Sequence, residues 1–263
     1  MGAGAPRIDA SRGCGVMSET TGPLTLSFDI GGTHLKASVL GPNGNMAEPE
    51  QRVDTPRPSP PDVVVPALVA LGKKLGRQDR ISIGFPGVVK QGAVMTAPNL
   101  GTPAWAGFAL AAALSQALGG TPARMLNDAT VQGLGAIEGH GLECVITLGT
   151  GMGFSLFENG RPAPHLELSQ HVAHKEKTYD QWIGDAALNR IGRKRWMRRV
   201  QRAIEQIRTL VNYDTLLIGG GNARHIKFAL PENARIVPNQ AGITGGVKLW
   251  DPVVDSVFNN SAT

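Results

Sequence analysis

One local pattern occurs twice in this chain and restricts its possible folds more than any other feature. The first copy is Phe28-Asp29-Ile30-Gly31-Gly32-Thr33-His34-Leu35-Lys36-Ala37. It reads as strand, tight turn, strand, with a lone carboxylate near the end of the first strand. Leu24 to Phe28 alternates apolar and small polar residues, the period of a strand. Gly31 and Gly32 remove side chains where the chain reverses, so backbone N–H groups can approach a phosphate closely. Asp29 can hold a hydrated Mg2+ beside that phosphate. An ordinary Gly-Gly hairpin has the same appearance. The second copy, Val145 to Phe157, repeats the layout around Gly149-Thr150-Gly151, with Thr147 standing where the first copy has Asp29. Each copy ends at an Asn-Gly turn, Asn43-Gly44 and Asn159-Gly160. Two phosphate hairpins, one per half of the chain, predict two similar lobes closing on a phosphate chain between them.

Composition narrows the class. The length of 263 residues suits one or two domains with a sizeable core. Hydrophobic content of 41% and charged content of 18% fit a soluble globular protein. No apolar run approaches the roughly 20 residues that span a bilayer. The net charge of +5 favours an anionic partner. Two cysteines, Cys14 and Cys144, exclude a disulfide framework and a Cys-rich zinc loop, and suit a reducing cytoplasm. Residues 1–22 are rich in Gly, Ala, Ser and Thr and lack an apolar segment. They read as a disordered extension, neither signal peptide nor membrane anchor, with Met17 a possible start.

Along the chain, strands are expected near 24–30, 34–40 and 51–55. Pro56, Pro58, Pro60 and Pro61 then form a stiff connector, and Asp62 caps a helix running to about Gly76. Arg80 to Gly84 is a strand. Gly107 to Leu118 is a helix ended by Gly119-Gly120. This first lobe spans 23–122. A second lobe, 123–263, opens with a strand over Ala123 to Asn127 and a helix over Ala129 to Glu138. Helical pieces over 179–191 and 194–211 are separated near Gly192. Thr215 to Ile218 is a buried strand leading to Gly219-Gly220-Gly221, Ile236-Val237 is a short strand, and Gly242 to Trp250 opens a last helix.

Asp128 follows a strand and opens a helix, where open α/β sheets place ligands. A carboxylate there can orient and deprotonate an attacking hydroxyl, as phosphoryl transfer requires. It could equally be a helix cap, and Asn127 could take that role instead. Asn99, in a Pro-Asn-Leu loop, can donate to and accept from sugar hydroxyls, or form an Asx-turn. His165, His171 and His174 lack the cysteines or helical spacing of a metal site. The most unusual local feature is basic. Arg190, Arg193, Lys194, Arg195, Arg198, Arg199 and Arg202 occur with no acidic residue between Asp185 and Glu205. Lys194, Arg198 and Arg202 share one helix face, with Arg195 and Arg199 in an adjacent row. Such a strip suits a polyanion, and a merely solvated face remains the alternative. No nucleic-acid reading motif accompanies it. Trp196 reads as core.

Taken together, these motifs resemble the actin-like ATPase superfamily. Within it the chain is similar to the ROK sugar kinases, and most to their polyphosphate glucokinase branch. The resemblance covers roughly 24–250. It rests on Phe28 to Ala37, Gly84-Phe85-Pro86-Gly87-Val88, Ala97-Pro98-Asn99-Leu100, Asn127-Asp128-Ala129, Leu148 to Gly153 and Leu217-Ile218-Gly219-Gly220-Gly221-Asn222 in family order. It implies an α/β fold of two actin-like (ribonuclease H-like) lobes. Each is a mixed sheet flanked by helices, with a cleft between them and a terminal helix packing back on the first lobe. It implies Asp128 as base, Mg2+ at Asp29, and donor phosphates on Gly31, Gly32, Thr33, Gly149, Thr150 and Gly151. Gly220, Gly221 and Asn222 would form a nucleotide loop, and the basic strip would serve polyphosphate. Asn99, Asn127, Glu167, Gln170 and His171 would contact a hexose. The family shows Glu-x-Gly-His where this chain reads Glu167-Leu168-Ser169-Gln170-His171, so Gln170 replaces a histidine.

The implied reaction makes glucose 6-phosphate from glucose with polyphosphate, ATP or both. Mannose or fructose as acceptor, or a sugar sensor without catalysis, are the alternatives. A ROK regulator would need a DNA-binding module that the 23 residues before the first strand do not supply. No nucleic-acid or membrane partner is expected, and a homodimer is common in the family.

Overall fold

The computed structural model describes residues 22–238 and 241–259. The expected extension, with Met17 and Cys14, lies outside the described residues except for Gly22. Two five-stranded sheets organise the chain. The first contains β1 (Thr25–Ile30), β2 (His34–Leu40), β3 (Gln51–Asp54), β4 (Arg80–Phe85) and β5 (Ala123–Asn127), in the order β3-β2-β1-β4-β5. The second contains β6 (Leu142–Leu148), β7 (Met152–Glu158), β8 (Arg161–Pro162), β9 (Thr215–Gly219) and β10 (Ala234–Ile236), in the order β8-β7-β6-β9-β10. In each sheet the first three strands in sequence pair antiparallel, and the last two join parallel. The duplicated glycine hairpins therefore belong to a duplicated sheet, the mixed α/β architecture expected from the two copies.

β5 sits at the edge of the first sheet, beside β4, and not in the second lobe. Its crossover from β4 runs through a helix at Leu110–Ala117, and a strand reached by one crossover helix pairs with the strand it left. The helix at Asp128–Leu134 then lies between the sheets. Val131 and Leu134 pack there with Val145 and Phe157 of the second sheet and with Leu249 and Val254. This helix stops at Leu134 rather than Glu138. Beyond it the buried Glu143 carboxylate accepts from the amides of Glu138, Gly139 and His140 at 2.8, 2.7 and 3.3 Å.

Other bounds differ for local reasons. The first helix, Pro61–Lys74, starts after Pro60 without a side-chain cap, and Asp62 lies in its first turn. The Ala/Leu-rich helix is shorter than expected because Gly107 has φ of +79°. The segment after Lys177-Thr178 breaks at Gly184 into Tyr179–Ile183 and Asp185–Ile191, ahead of the long helix Arg193–Val211. A further helix, Pro252–Asn259, follows Trp250.

The chain after 240 packs on the first sheet. Ser27 Oγ donates to Ile243 O (3.0 Å), Ser82 Oγ to Gly246 O (2.7 Å) and Trp250 Nε1 to Ser82 Oγ (2.9 Å). The Arg124 guanidinium joins Asp255 at 2.7 Å and lies 4.4 Å from the Trp250 ring centroid. No helix among the described residues is long and apolar enough to cross a membrane.

In the second core Trp196 is fully buried, its indole donating to Ile183 O at 2.7 Å. Removing this side chain deletes both packing and a satisfied polar group. Trp196→Ala is expected to cost about 3–5 kcal/mol, read from the shift of the urea unfolding midpoint.

Candidate active site

A cleft of about 420 Å3 opens between the two glycine turns. Of the residues singled out from sequence, Asp29, Gly31, Gly32, Thr33, Asn99, Asn127 and Asp128 line it from the first half. Gly149, Thr150, Gly151, Glu167, Gln170, Gly220 and Gly221 line it from the second. A separate depression of about 470 Å3, walled by Pro61, Asp62, Val65, Pro66 and Phe108, is apolar and presents no group for chemistry except Asp62.

Asp128 stands at the end of β5, where the first sheet meets the cleft. Asn127 is the cap: its Oδ1 accepts from Ala129 N (2.9 Å) and Thr130 N (3.3 Å), while its Nδ2 donates to Phe85 O (3.5 Å) and Gly87 O (3.2 Å). Both ends of that amide are thus committed to the protein. Asn127 therefore fixes the start of the helix that carries Asp128. The Asp128 carboxyl is left to face the cleft. Burial pushes it up to about 7, and the charges of Asp29 and Glu167 add to the rise against a hydrogen bond from Ala129 N. Glu167 moves the other way. His165 Nε2 stands 3.3 Å from its Oε2, and Ser169 Oγ donates to its Oε1 at 2.6 Å; these partners hold it below the usual carboxylate range despite burial. Two acids in one cleft are therefore set apart, one titrating near neutrality and one fixed as an anion.

Asp29 is paired. Its Cα partner across the hairpin is Lys36, whose Nζ lies 3.0 Å from Asp29 Oδ2. Burial alone would lower the Lys36 ammonium, but Asp29 reverses that and the net shift is upward. Lys36 lines the cleft. The register of the first hairpin is enough to place it there. Among the described residues no group of three or more His, Cys, Asp or Glu converges as a metal cage. One or two carboxylates beside a phosphate turn suit Mg2+ instead, which keeps its waters and takes further oxygens from phosphate.

In both turns the carbonyls are tied down from outside. In the second, Asp185 N donates to Gly149 O (2.9 Å) and Thr150 O (3.2 Å), and Met152 N donates to Asp180 Oδ1 (2.6 Å). In the first, the amides of Gly32 and Thr33 find no acceptor among the described residues. Such outward carbonyls and free amides form an anion cradle. Gly220 borders the same cleft. Its φ is +83° and a Cβ there would lie 2.4 Å from Leu148 O, so no other residue fits. Asn222 does not line the cleft. Its Nδ2 braces Gly149 O (3.4 Å) and Asp185 Oδ1 (3.1 Å), so it supports the turn.

On the opposite wall Glu167 and Gln170 line the cleft and His171 does not. Gln170 ends a short turn, Leu168–Gln170, and its Nε2 donates to Asp180 Oδ2 at 2.8 Å. His171 begins the extended chain that follows. Its exposed ring lies 3.1 Å from Val172 O, and it does not line the cleft. His165 and Asp180 line it instead, together with Gln132, one helical turn beyond Asp128. The spacing from Asp128 flags Gln132 in the sequence. Nothing local marks Asp180.

The basic strip lies on the outer face of the second lobe, and none of its residues lines the cleft. Arg190, Arg193, Lys194, Arg195, Arg198 and Arg202 are exposed. Arg199 is half-buried and donates to Trp182 O at 3.0 Å, so it is a structural member of the strip.

A model of the ROK family matches residues 25–174, more than half of the chain. The chain belongs to the ROK family. Among curated relatives, polyphosphate glucokinase of Mycobacterium tuberculosis strain CDC 1551 is 28% identical over 247 residues, 87% of this chain and 93% of that protein. The solved inorganic polyphosphate/ATP-glucomannokinase from Arthrobacter sp. strain KM superposes with a TM-score of 0.77 at 26% identity, covering 86% of this chain and 98% of that one. A ROK glucokinase from Streptomyces griseus, solved with glucose and AMPPNP, gives a TM-score of 0.71 at 20% identity over 86% and 98%, a likeness of fold alone.

Proposed function

We propose that this ROK protein is a hexose kinase that phosphorylates the 6-hydroxyl of glucose, with inorganic polyphosphate, ATP or both as donor. The observation that carries the reading is Asp128. It is a carboxyl raised to about 7, capped in place by Asn127 and facing two anion cradles across one cleft. A base poised near neutrality takes the hydroxyl proton as the oxygen attacks the terminal phosphorus. The bond from that phosphorus to the bridging oxygen breaks, and the shortened donor leaves with its charge held by the glycine-turn amides. Glu167, fixed as an anion, accepts from other sugar hydroxyls, and Asn99 offers both a donor and an acceptor. When present, Mg2+ would be held by Asp29 and the donor phosphates and would neutralise charge on the transferred group.

The names of the relatives and the exposed strip support polyphosphate, and the Gly220-Gly221 loop supports a nucleotide. Burial, Arg193, Arg224 and Lys227 together hold the His225 imidazole below its ordinary range.

One assay tests the reading. Purified protein is given a hexose panel with ATP or long-chain polyphosphate, and the sugar phosphate is measured. Glucose 6-phosphate is the expected product, and no hexose phosphate with either donor would refute the proposal. Reversing Lys194, Arg198 and Arg202 to glutamate is expected to lower polyphosphate kcat/KM by about tenfold or more at low salt, and ATP kcat/KM far less. High salt should shrink the difference. Unchanged polyphosphate use would remove the strip from the donor path.

A further inference from the structure

Three consecutive carbonyls of the first glycine turn are held from one short segment. Thr55 Oγ1 donates to Gly31 O (2.7 Å), Thr55 N to Thr33 O (2.9 Å) and Arg57 Nη2 to Gly32 O. With these carbonyls satisfied, the turn keeps its Gly32 and Thr33 amides free for an anion. The same guanidinium reaches a second loop, where Arg57 Nη1 donates to Asn99 O at 3.2 Å. The turn and that loop also touch directly, since a Cβ on Gly32 would stand 3.2 Å from Asn99 Cβ. Gly32 belongs to the phosphate turn and Asn99 to the sugar loop. Arg57 bonds both from outside, being exposed and not part of the cleft lining.

A guanidinium is a rigid planar fork, so it fixes the spacing of the two carbonyls it holds. A displacement of one loop is passed to the other. We infer that Arg57 is a positioning residue that couples the acceptor and donor subsites: a sugar that orders the Asn99 loop sets the Gly32 turn for phosphate, and a bound donor tightens the sugar. The inference rests on the hexose kinase reading above. Its consequence for the reaction is order. Without the acceptor the turn is not set, which limits transfer to water. A lysine at 57 would donate from a single rotatable point and would not fix that spacing.

Calorimetric titration of the full chain tests it, with glucose affinity measured with and without β,γ-imido-ATP and Mg2+. In the wild-type protein glucose is expected to bind about fivefold or more tightly when the analogue is present, with the reciprocal effect on the analogue. Arg57→Ala should bring that ratio to about one while glucose alone stays within about twofold of wild type, and Arg57→Lys should fall between. Thr55→Val removes one turn bond without touching the Asn99 loop, so it should weaken the analogue and keep the ratio. Arg57→Gln carries the same test if the alanine variant does not fold. A ratio that survives in Arg57→Ala, or an equal loss of both single affinities with the ratio intact, overturns the inference. Absence of hexose binding by the wild-type protein overturns the kinase reading itself, and the coupling with it.

Discussion

Asp128→Asn is expected to lower turnover about 10²–10⁴-fold while glucose still binds, because the amide keeps the shape of the carboxyl but cannot take a proton. The wild-type pH profile supplies the control. kcat/KM for the hexose reports the free enzyme, so it should rise with pH and reach half its plateau near 7, the value to which burial and the Asp29 and Glu167 charges bring Asp128. The same substitution has a stability signature of opposite sense. The folded-state value lies above the unfolded one, so the folded protein holds the proton more tightly, and ionisation weakens the fold as pH rises from about 4 to about 7. The asparagine variant escapes this. Its thermal midpoint should exceed that of wild type by several degrees above pH 7, with the gain fading as the pH falls toward 4. A variant with full turnover would remove Asp128 from catalysis. A variant without the pH-dependent gain would show that the carboxyl is not strained by burial.

Glu167→Gln should raise KM for glucose about 10- to 100-fold, the range expected when a charged acceptor becomes a neutral one, with little change in donor KM. A second effect follows from position. Glu167 is one of the charges that raise Asp128, so removing it should move the midpoint of the kcat/KM profile below that of wild type. A passive scaffold residue would alter KM without moving that midpoint. Steady-state kinetics across pH read both, and an unchanged hexose KM would displace Glu167 from the sugar subsite.

Part of this site is legible in the amino-acid sequence because it depends on neighbours in the chain. The glycine turns, the carboxylate of Asp29 and the Asn127-Asp128 pair each announce themselves within a few residues. Even the Lys36–Asp29 ion pair follows from hairpin register once the turn is placed. Other residues resist such a reading because the backbone changes conformation between neighbours, from the turn that ends at Gln170 to the extended chain that starts at His171. Gln170 and His171 are consecutive, yet Gln170 lines the cleft and His171 does not. Asn222 has the sequence context of a nucleotide contact, but its amide is spent on Gly149 and Asp185, which are distant in sequence. Thr55 and Arg57 resemble the start of a proline-rich connector, and the reason for their side chains lies in two other loops.

The features that the residues dictate unaided are therefore periodic or local: two copies of a strand-turn-strand unit, the polar caps Asn127 and Thr178 at two helix starts, and a glycine at 220 where backbone must approach closely. These depend on dihedral preferences and on hydrogen bonds closed within a few residues. Long-range packing was needed to make β5 complete the first sheet, to return the chain after 240 to Ser27 and Ser82, and to raise Asp128 to about 7. Each of those outcomes is set by burial and by charges brought together from segments far apart in the chain, and neither quantity exists until the two sheets have packed.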